Sequence, residues 1–241
     1  MISMHTTEDR KNSIAPIARP VLDLSKFEGA IFDVDGTLLD SMFKWQEVEE
    51  AYIVQLGKTP EPDFKDTLRY LSQTEVADYF MEHYGIDKTM LAISREKNKM
   101  IEPFYFNEVE LKSGVRDLLE LLKSYGIKMC IATASDKYLV DAGMERTGIL
   151  KYFAKTFSCV DEETSKSVPD IFIRAAEFLG TPLDKTIVFE DALHAITSAK
   201  KAGFTVVAIY DDSMANQQTE INQLADYHYD DWNDFLKLYS K

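Results

Sequence analysis

The 241-residue sequence has only two cysteines and no apolar run long enough to cross a membrane. Cys130 and Cys159 lie in apolar strand-like runs, which favours buried free thiols over a disulfide or a nucleophile. Free thiols are typical of a reducing cytoplasm, and a membrane span needs about 20 apolar residues. The first 20 residues also lack the apolar segment of a signal peptide. We therefore expect a cytoplasmic protein with a mobile tail over residues 1–21 and no membrane partner.

Basic residues are scarce, because 27 lysines and arginines face 41 acidic residues and give a net charge of −14. This balance argues against a surface that binds the phosphate backbone of a nucleic acid. It does not exclude a small phosphorylated metabolite, since a few local cations and a metal ion can dominate one pocket. With 45% hydrophobic residues, the chain can bury one large core and a smaller one.

A helical pattern occupies the segment that follows residue 41. The apolar stripe over residues 42–56 predicts a first helix. Ser72 begins a second helix with capping-box spacing to Glu75, and a third is predicted from Asp87. We expect an all-helical cap domain over residues 41–109.

The rest of the chain alternates short apolar strands with helices of about 10–15 residues, which is typical of parallel βαβ units. The predicted strands are 29–33, 127–132, 155–160, 186–189, 205–209 and 227–229. The expected fold class is α/β, with a doubly wound, Rossmann-like parallel sheet and an inserted helical cap. The core domain is therefore discontinuous, over residues 22–40 and 110–241.

Two carboxylates, Asp33 and Asp35, follow the first predicted strand, and the chain turns at Gly36. Metal-assisted phosphoryl transfer needs two such groups, one as nucleophile or metal ligand and one as acid or base. Ligands of open α/β sheets bind at the carboxyl ends of the strands. Asp33 and the main-chain carbonyl of Asp35 are thus candidate ligands of Mg²⁺.

Polar residues also follow three later strands. The hydroxyl of Thr133 and the turn at Ala134 are suited to a phosphate oxygen, and the ammonium of Lys166 is suited to an anion. Glu190 and Asp191 offer oxygen ligands to a hard cation such as Mg²⁺. Each alone has an ordinary structural interpretation, but their occurrence at successive strand ends favours a joint function.

In this order the motifs resemble the haloacid dehalogenase superfamily of phosphohydrolases, whose first motif reads Asp-x-Asp-Gly-Thr/Val. The resemblance covers residues 27 to about 232. It is strongest to the subgroup with a small helical cap, which includes phosphoglycolate-phosphatase-like and β-phosphoglucomutase-like enzymes. It implies that Asp191 with Glu190 holds Mg²⁺. We also expect a monomer or weak homodimer.

The resemblance also implies the catalytic roles. Asp33 would be the nucleophile that becomes an aspartyl-phosphate, and Asp35 would protonate the leaving oxygen and then activate water. Thr133 and Lys166 would bind the transferring phosphoryl group. The implied function is a Mg²⁺-dependent phosphatase that hydrolyses a small phosphomonoester.

The cap residues bear on the substrate, and Lys44 and Arg69 are candidate contacts. β-Phosphoglucomutases typically carry a histidine where this chain has Trp45, and a cap arginine where it has Gln73. A mutase must grip a bisphosphate in two orientations, so the missing charge favours hydrolysis over the mutase alternative.

Four other functions remain possible from the sequence, but each has less support than hydrolysis of a phosphomonoester. The dehalogenase branch lacks the second aspartate, and a phosphonatase needs a cap lysine such as Lys44 for a Schiff base. A phospho-accepting receiver domain is about half this length and has no helical insertion. A non-catalytic binding protein would be free to lose motif residues that are all present here.

Overall fold

The computed structural model describes residues 21–68, 71 and 73–240, and the side chains of residues 73 and 74 lie outside this description. Of the predicted tail, only Val21 falls within the described residues. The strands are β1 Gly29–Phe32, β2 Leu39–Asp40, β3 Glu110–Leu111, β4 Lys128–Thr133, β5 Thr156–Ser158, β6 Thr186–Glu190, β7 Thr205–Ile209 and β8 Tyr227–Tyr229. The helices are α1 Met42–Gln55, α2 Phe64–Leu68, α3 Gln73–His83, α4 Met90–Asn107, α5 Val115–Ser124, α6 Lys137–Arg146, α7 Asp170–Leu179, α8 Leu193–Ala202, α9 Gln218–Leu224 and α10 Trp232–Lys237.

Six of these strands form one sheet in the order β5-β4-β1-β6-β7-β8, and all neighbouring pairs are parallel. Helices connect the strands, so the predicted doubly wound α/β fold is confirmed. Phe32 at the end of β1 pairs with Ile131 of β4 on one side and with Phe189 of β6 on the other. This register places the loops after β1, β4 and β6 side by side.

Alternate residues of the central strands face opposite sides of the sheet, as a parallel sheet buried on both faces requires. In β1, Ala30 and Phe32 join one apolar cluster and Ile31 joins the other. All three side chains are fully buried. The sheet is thereby fixed between two helical layers, which holds the loops at its carboxyl edge in place.

Helices α1 to α4 form the insertion, which leaves the core after β2 and returns through β3. These two short strands pair antiparallel, Leu39 with Leu111 and Asp40 with Glu110. The insertion has an apolar cluster of its own, which includes the fully buried Phe80 and Ile93. Trp45 of α1 and Ile101 of α4 belong instead to the cluster of the sheet, so the insertion packs on the core as well as on itself.

Two predicted elements differ from the structure. The strand expected over 155–160 is limited to β5, because the chain turns at Cys159 and Glu163 adopts a positive φ of 49°. The helix expected near 216–224 begins as a 3₁₀ segment, Asp212–Gln217, before α9. Helices α2 and α10 and the β2–β3 pair are absent from the prediction, since elements of two to six residues are too short to show a period.

Both cysteines are buried and free, as expected. Burial raises the pKa of Cys130 to about 12 and that of Cys159 to about 11, so neither is a thiolate at neutral pH. Within the described residues, none of the helices combines the length and apolar character that a membrane crossing requires.

Candidate active site

The first aspartate is fixed by the end of β1. The N–H of Asp33 donates to the carbonyl of Phe189 in the neighbouring β6 at 3.0 Å. The chain then closes a tight loop, in which the carbonyl of Val34 accepts from the three N–H groups of residues 37–39 at 2.8 to 3.3 Å. Gly36 allows this loop because its φ is +87°, a conformation that residues with a Cβ rarely adopt.

The ammonium of Lys166 lies between two carboxylates. It donates to Oδ1 of Asp33 at 2.5 Å and to Oε1 of Glu190 at 2.6 Å. The other oxygen of Glu190 accepts the N–H groups of Asp191 and Ala192, both at 2.9 Å. Both oxygens of Glu190 are therefore engaged within the protein, and its carboxylate orients Lys166 toward Asp33.

A third carboxylate completes an acidic cluster. Asp33, Glu190 and Asp191 each offer one oxygen, and these atoms lie within 4.8 Å of one another. Among the described residues, Oδ2 of Asp33 is buried without a hydrogen-bond partner, and Asp191 receives only a long contact of 3.4 Å from the hydroxyl of Thr37. Three buried carboxylates face the single positive charge of Lys166, so the site fits a hard divalent cation that takes oxygen ligands.

The pKa values of these groups show the excess negative charge. Burial raises the pKa of Asp33 to about 6, although the ammonium of Lys166 opposes the shift. Burial and the neighbouring carboxylates raise the pKa of Asp191 well above its usual value. Burial and the charge of Asp33 also raise the pKa of Asp35. Burial alone would lower the pKa of Lys166, but the carboxylates of Asp33 and Glu190 raise it. A bound cation would relieve this repulsion.

Three hydroxyl groups surround Asp35. Ser41 donates to Oδ1 at 2.6 Å, Ser135 donates to Oδ2 at 2.6 Å, and Tyr105 also donates to Oδ1. The indole of Trp45 donates to the hydroxyl oxygen of Tyr105 at 2.9 Å. Burial and the nearby carboxylate keep the pKa of Tyr105 well above its usual value, so its hydroxyl stays protonated. The carboxylate of Asp35 is thus held by three neutral hydroxyl donors.

The turn after β4 carries two predicted phosphate contacts. Ala134 and Lys166 both line the cavity above the acidic cluster. Thr133 is fully buried and is absent from the described lining; its hydroxyl accepts the N–H of Ser135 at 3.1 Å. The hydroxyl of Ser158 donates to the carbonyl of Ser135 at 2.9 Å and fixes the turn.

The cavity has a volume of about 700 Å³ and lies between the sheet edge and the insertion. Asp33 is at its floor, and Lys97 and Asn98 of α4 lie in its wall. Apolar side chains such as Leu91 and Val160 also line it, and both are partly open to solvent. This volume is within the usual range of small-molecule sites, and it leaves room for more than a phosphate group.

Several residues of α4 line this cavity without having been predicted, and Lys97 and Asn98 are two of them. Lys97 is buried, pairs with Glu49 at 3.3 Å and lies 5.8 Å from the ring centre of Trp45. The amide of Asn98 donates to the carboxylate of Asp136 at the start of α6. Sequence spacing gives no signal for these contacts, because they depend on how the insertion packs on the core.

Of the two predicted cap contacts, the structure describes Lys44. Lys44 pairs with Glu47 at 2.8 Å, its side chain is 32% exposed, and it is absent from the described lining of the cavity. Its role in substrate binding therefore stays a prediction that this placement does not support. Arg69 and the side chain of Gln73 lie outside the described residues.

Tyr105 and Ser41 also escaped prediction from the sequence. Tyr105 belongs to an apolar helical stripe. The sequence pattern cannot distinguish a tyrosine whose hydroxyl contacts the site from one that only packs in the core. Ser41 immediately precedes α1, where an N-cap role is the ordinary expectation. Only the fold brings both hydroxyls to Asp35.

The fold and the site define an α/β protein of the Rossmann-like class with a buried acidic cluster at the carboxyl edge of its sheet. A family model described as haloacid dehalogenase-like hydrolase matches residues 30–209. The chain belongs to this family, which confirms the superfamily predicted from the motifs.

Named relatives extend the comparison. The chain is 28% identical over 202 residues to the probable pseudouridine-5'-phosphatase of Drosophila melanogaster, with 81% of this chain and 87% of that protein covered. It is 29% identical over 215 residues to (DL)-glycerol-3-phosphatase 2 of Arabidopsis thaliana, with 84% and 89% covered. The names agree with the prediction of a phosphoric monoester hydrolase.

A solved structure shows the same fold. CbbY from Rhodobacter sphaeroides, solved in complex with phosphate, superposes with a TM-score of 0.75 at 22% identity. The similarity covers 86% of this chain and 95% of that one. At this identity the likeness bears on the fold alone.

Gly36→Ala should damage the acidic cluster. A Cβ at this position would lie 2.3 Å from Oδ2 of Asp191, and φ is unfavourable for alanine. We expect lower stability and a smaller rise in the thermal midpoint on adding Mg²⁺, because Asp191 must move. Thermal unfolding with and without Mg²⁺ measures both effects.

Gly180→Ala is the matched control. Gly180 has a similar φ of +68°, but no atom lies within 4 Å of its added Cβ. It should lose only about 1 kcal/mol of stability to backbone strain and keep the full response to Mg²⁺. An undiminished Mg²⁺ response in Gly36→Ala would contradict the prediction that Asp191 is a metal ligand.

Proposed function

We propose that this protein is a Mg²⁺-dependent phosphatase that hydrolyses a small phosphomonoester through an aspartyl-phosphate on Asp33. The observation that carries the proposal is the buried cluster in which Lys166 bridges Asp33 and Glu190 while Oδ2 of Asp33 keeps no partner among the described residues. A carboxylate oxygen left unpaired beside an ammonium and a cavity is suited to attack on phosphorus.

Asp33, Asp191 and the main-chain carbonyl of Asp35 would hold the cation, and Glu190 would support the site through Lys166. When bound, Mg²⁺ supplies positive charge that neutralises the phosphoryl oxygens and the carboxylates. Lys166 contributes a second, fixed positive charge at the same place. Ala134 lies at the cavity wall, where the turn after β4 would contact the phosphate.

The reaction has two displacements. An oxygen of Asp33 attacks phosphorus, and the ester P–O bond breaks as Asp35 gives its proton to the leaving oxygen. Asp35 then takes a proton from water, whose oxygen attacks the phosphorus. The bond between phosphorus and Asp33 breaks, which releases phosphate and restores the carboxylate of Asp33.

The substrate is proposed to be a small phosphorylated metabolite whose leaving group occupies the space below α4. Lys97 and Asn98 are placed to contact it, as both line the cavity on the side of the insertion. The named relatives act on such esters, including glycerol 3-phosphate, which supports this size class. The protein is further proposed to act in the cytoplasm as a monomer or weak homodimer.

A panel of phosphomonoesters tests the function. Phosphate release should be lost in EDTA and restored by Mg²⁺ for several esters, among them glycerol 3-phosphate, pseudouridine 5'-phosphate and hexose phosphates. β-Glucose 1-phosphate with its bisphosphate is included, and glucose 6-phosphate formation is followed. Isomerisation without release would favour a mutase, and no turnover with Mg²⁺ would contradict the phosphatase.

Asp33→Asn and Asp35→Asn separate the two carboxylate roles. Asp33→Asn should abolish turnover, because the amide is no nucleophile. Asp35→Asn should lower kcat by roughly 10²- to 10⁴-fold, the usual contribution of an acid–base group, and keep the Mg²⁺-induced rise in thermal midpoint. Steady-state kinetics and thermal unfolding provide the two measurements.

Asp40→Asn is the control for charge loss in the same segment. Asp40 lies in β2, is exposed and does not line the active-site cavity, so its variant should keep wild-type turnover. Full phosphatase activity in Asp33→Asn would exclude the aspartyl-phosphate route.

A further inference from the structure

Asp35 is held by hydroxyl groups from three separate parts of the chain. Ser135 follows β4 in the core, Ser41 lies at the junction before α1, and Tyr105 is carried by α4 of the insertion. The last of these contacts links a helix outside the sheet to a loop at the sheet edge. Asp35 is thus fixed by residues of both the core and the insertion.

The hydroxyl of Tyr105 has a defined direction. The indole N–H of Trp45 can only donate, and it donates to the Tyr105 oxygen at 2.9 Å. The single hydroxyl hydrogen of Tyr105 is therefore left for Asp35. Trp45 and Tyr105 are both buried, and their rings meet edge to face at 6.4 Å, so neither group has freedom to turn away.

Tyr105 lies behind Asp35 as seen from the cavity. Asp35 and Trp45 belong to the described lining, and Tyr105 does not. Its side chain is fully buried. It is consequently placed to act through Asp35 rather than on a substrate.

The helix that carries Tyr105 is tied to the core. The amide of Asn98 on α4 donates to Asp136 at the start of α6, and the ring of Phe106 packs edge to face on Tyr138 at 6.5 Å. A movement of α4 away from α6 would remove Tyr105 from Asp35. The orientation of Asp35 thus depends on whether the insertion is seated.

We propose that Tyr105 is a positioning residue that orients the Asp35 carboxyl group for proton transfer and makes this orientation depend on the seated helical insertion. The inference rests on the proposed function, because it assumes that Asp35 protonates the leaving oxygen.

Tyr105→Phe tests the role, since it removes one hydroxyl and keeps the ring. Losing one hydrogen bond to a charged group corresponds to roughly 10- to 100-fold, so kcat should fall by this factor with KM within about twofold. The Mg²⁺-induced rise in thermal midpoint should be unchanged, because Tyr105 contacts none of the carboxylates of the acidic cluster.

Two aryl esters of similar size distinguish orientation of an acid from general damage. Phenyl phosphate needs protonation of its leaving oxygen more than p-nitrophenyl phosphate does, because the nitro group stabilises the phenolate. Tyr105→Phe should therefore lower kcat/KM more for phenyl phosphate than for p-nitrophenyl phosphate. A purely structural role would lower both values equally.

Tyr52→Phe is the matched control. Tyr52 is a buried tyrosine of the same insertion, and its hydroxyl donates to Glu96 at 2.9 Å, away from Asp35. Its variant should keep the wild-type ratio of kcat/KM for the two esters. Trp45→Phe, which frees the Tyr105 hydroxyl to turn, should shift the ratio in the same direction as Tyr105→Phe but by less.

The possible failures are distinguishable. Suppose that the wild-type enzyme hydrolyses the esters. If Tyr105→Phe then keeps the wild-type kcat, or if its kcat/KM falls equally for both aryl esters, the inference is overturned while the proposed phosphatase function is retained. If the wild-type enzyme with Mg²⁺ hydrolyses neither aryl ester nor any member of the phosphomonoester panel, the proposed function and this inference fall together.

Discussion

The rest of the site depends on one buried cation, the ammonium of Lys166 between Asp33 and Glu190. Desolvating a carboxylate costs several kcal/mol unless it is paired, and Lys166 provides the pairing for two at once. It does not balance the cluster, since Asp191 adds a third buried carboxylate. The remaining negative charge destabilises the folded protein, and a divalent cation would neutralise it. The same buried carboxylates therefore account both for the affinity of the site for a cation and for its destabilising effect on the fold.

That arrangement is possible because the sheet supplies rigid ends. Phe32 pairs with Phe189 at the ends of β1 and β6, and both side chains are fully buried. Asp33 and Glu190 come directly after these two residues, so their backbone positions are fixed by the sheet. The two carboxylates therefore lie close together before any ligand binds. Lys166 comes from a loop, and the hydroxyl of Ser198 donates to its carbonyl at 2.5 Å. The burial of the apolar core therefore offsets the electrostatic repulsion between these carboxylates.

The sequence predicted the charged part of this site and not its surroundings. Asp33 and Asp191 stand at strand ends, and Lys166 lies in the loop that follows β5. Strand ends of a parallel sheet are predictable from apolar runs separated by helices. Tyr105, Asn98 and Lys97 sit on one helix of the insertion, and their neighbours are set by how that helix packs. A helical period shows which face is apolar, but it does not show which buried hydroxyl or amide meets a partner across the cavity. Lys44 illustrates the same limit, because its charge is visible in the sequence and its pairing with Glu47 is not.

The acidic cluster and the cavity wall formed by the insertion are consequently subject to different constraints. Loss of Lys166 would leave the buried carboxylates of Asp33 and Glu190 without their shared ammonium, so this lysine can hardly vary. The insertion meets the cavity mainly through side chains of α4, and exchanging Asn98 or Leu91 would alter the cavity wall without touching the cluster. Tyr105 is the exception, since it belongs to the insertion and contacts Asp35. In the proposed mechanism, Tyr105 thereby links the insertion to the group that transfers the proton.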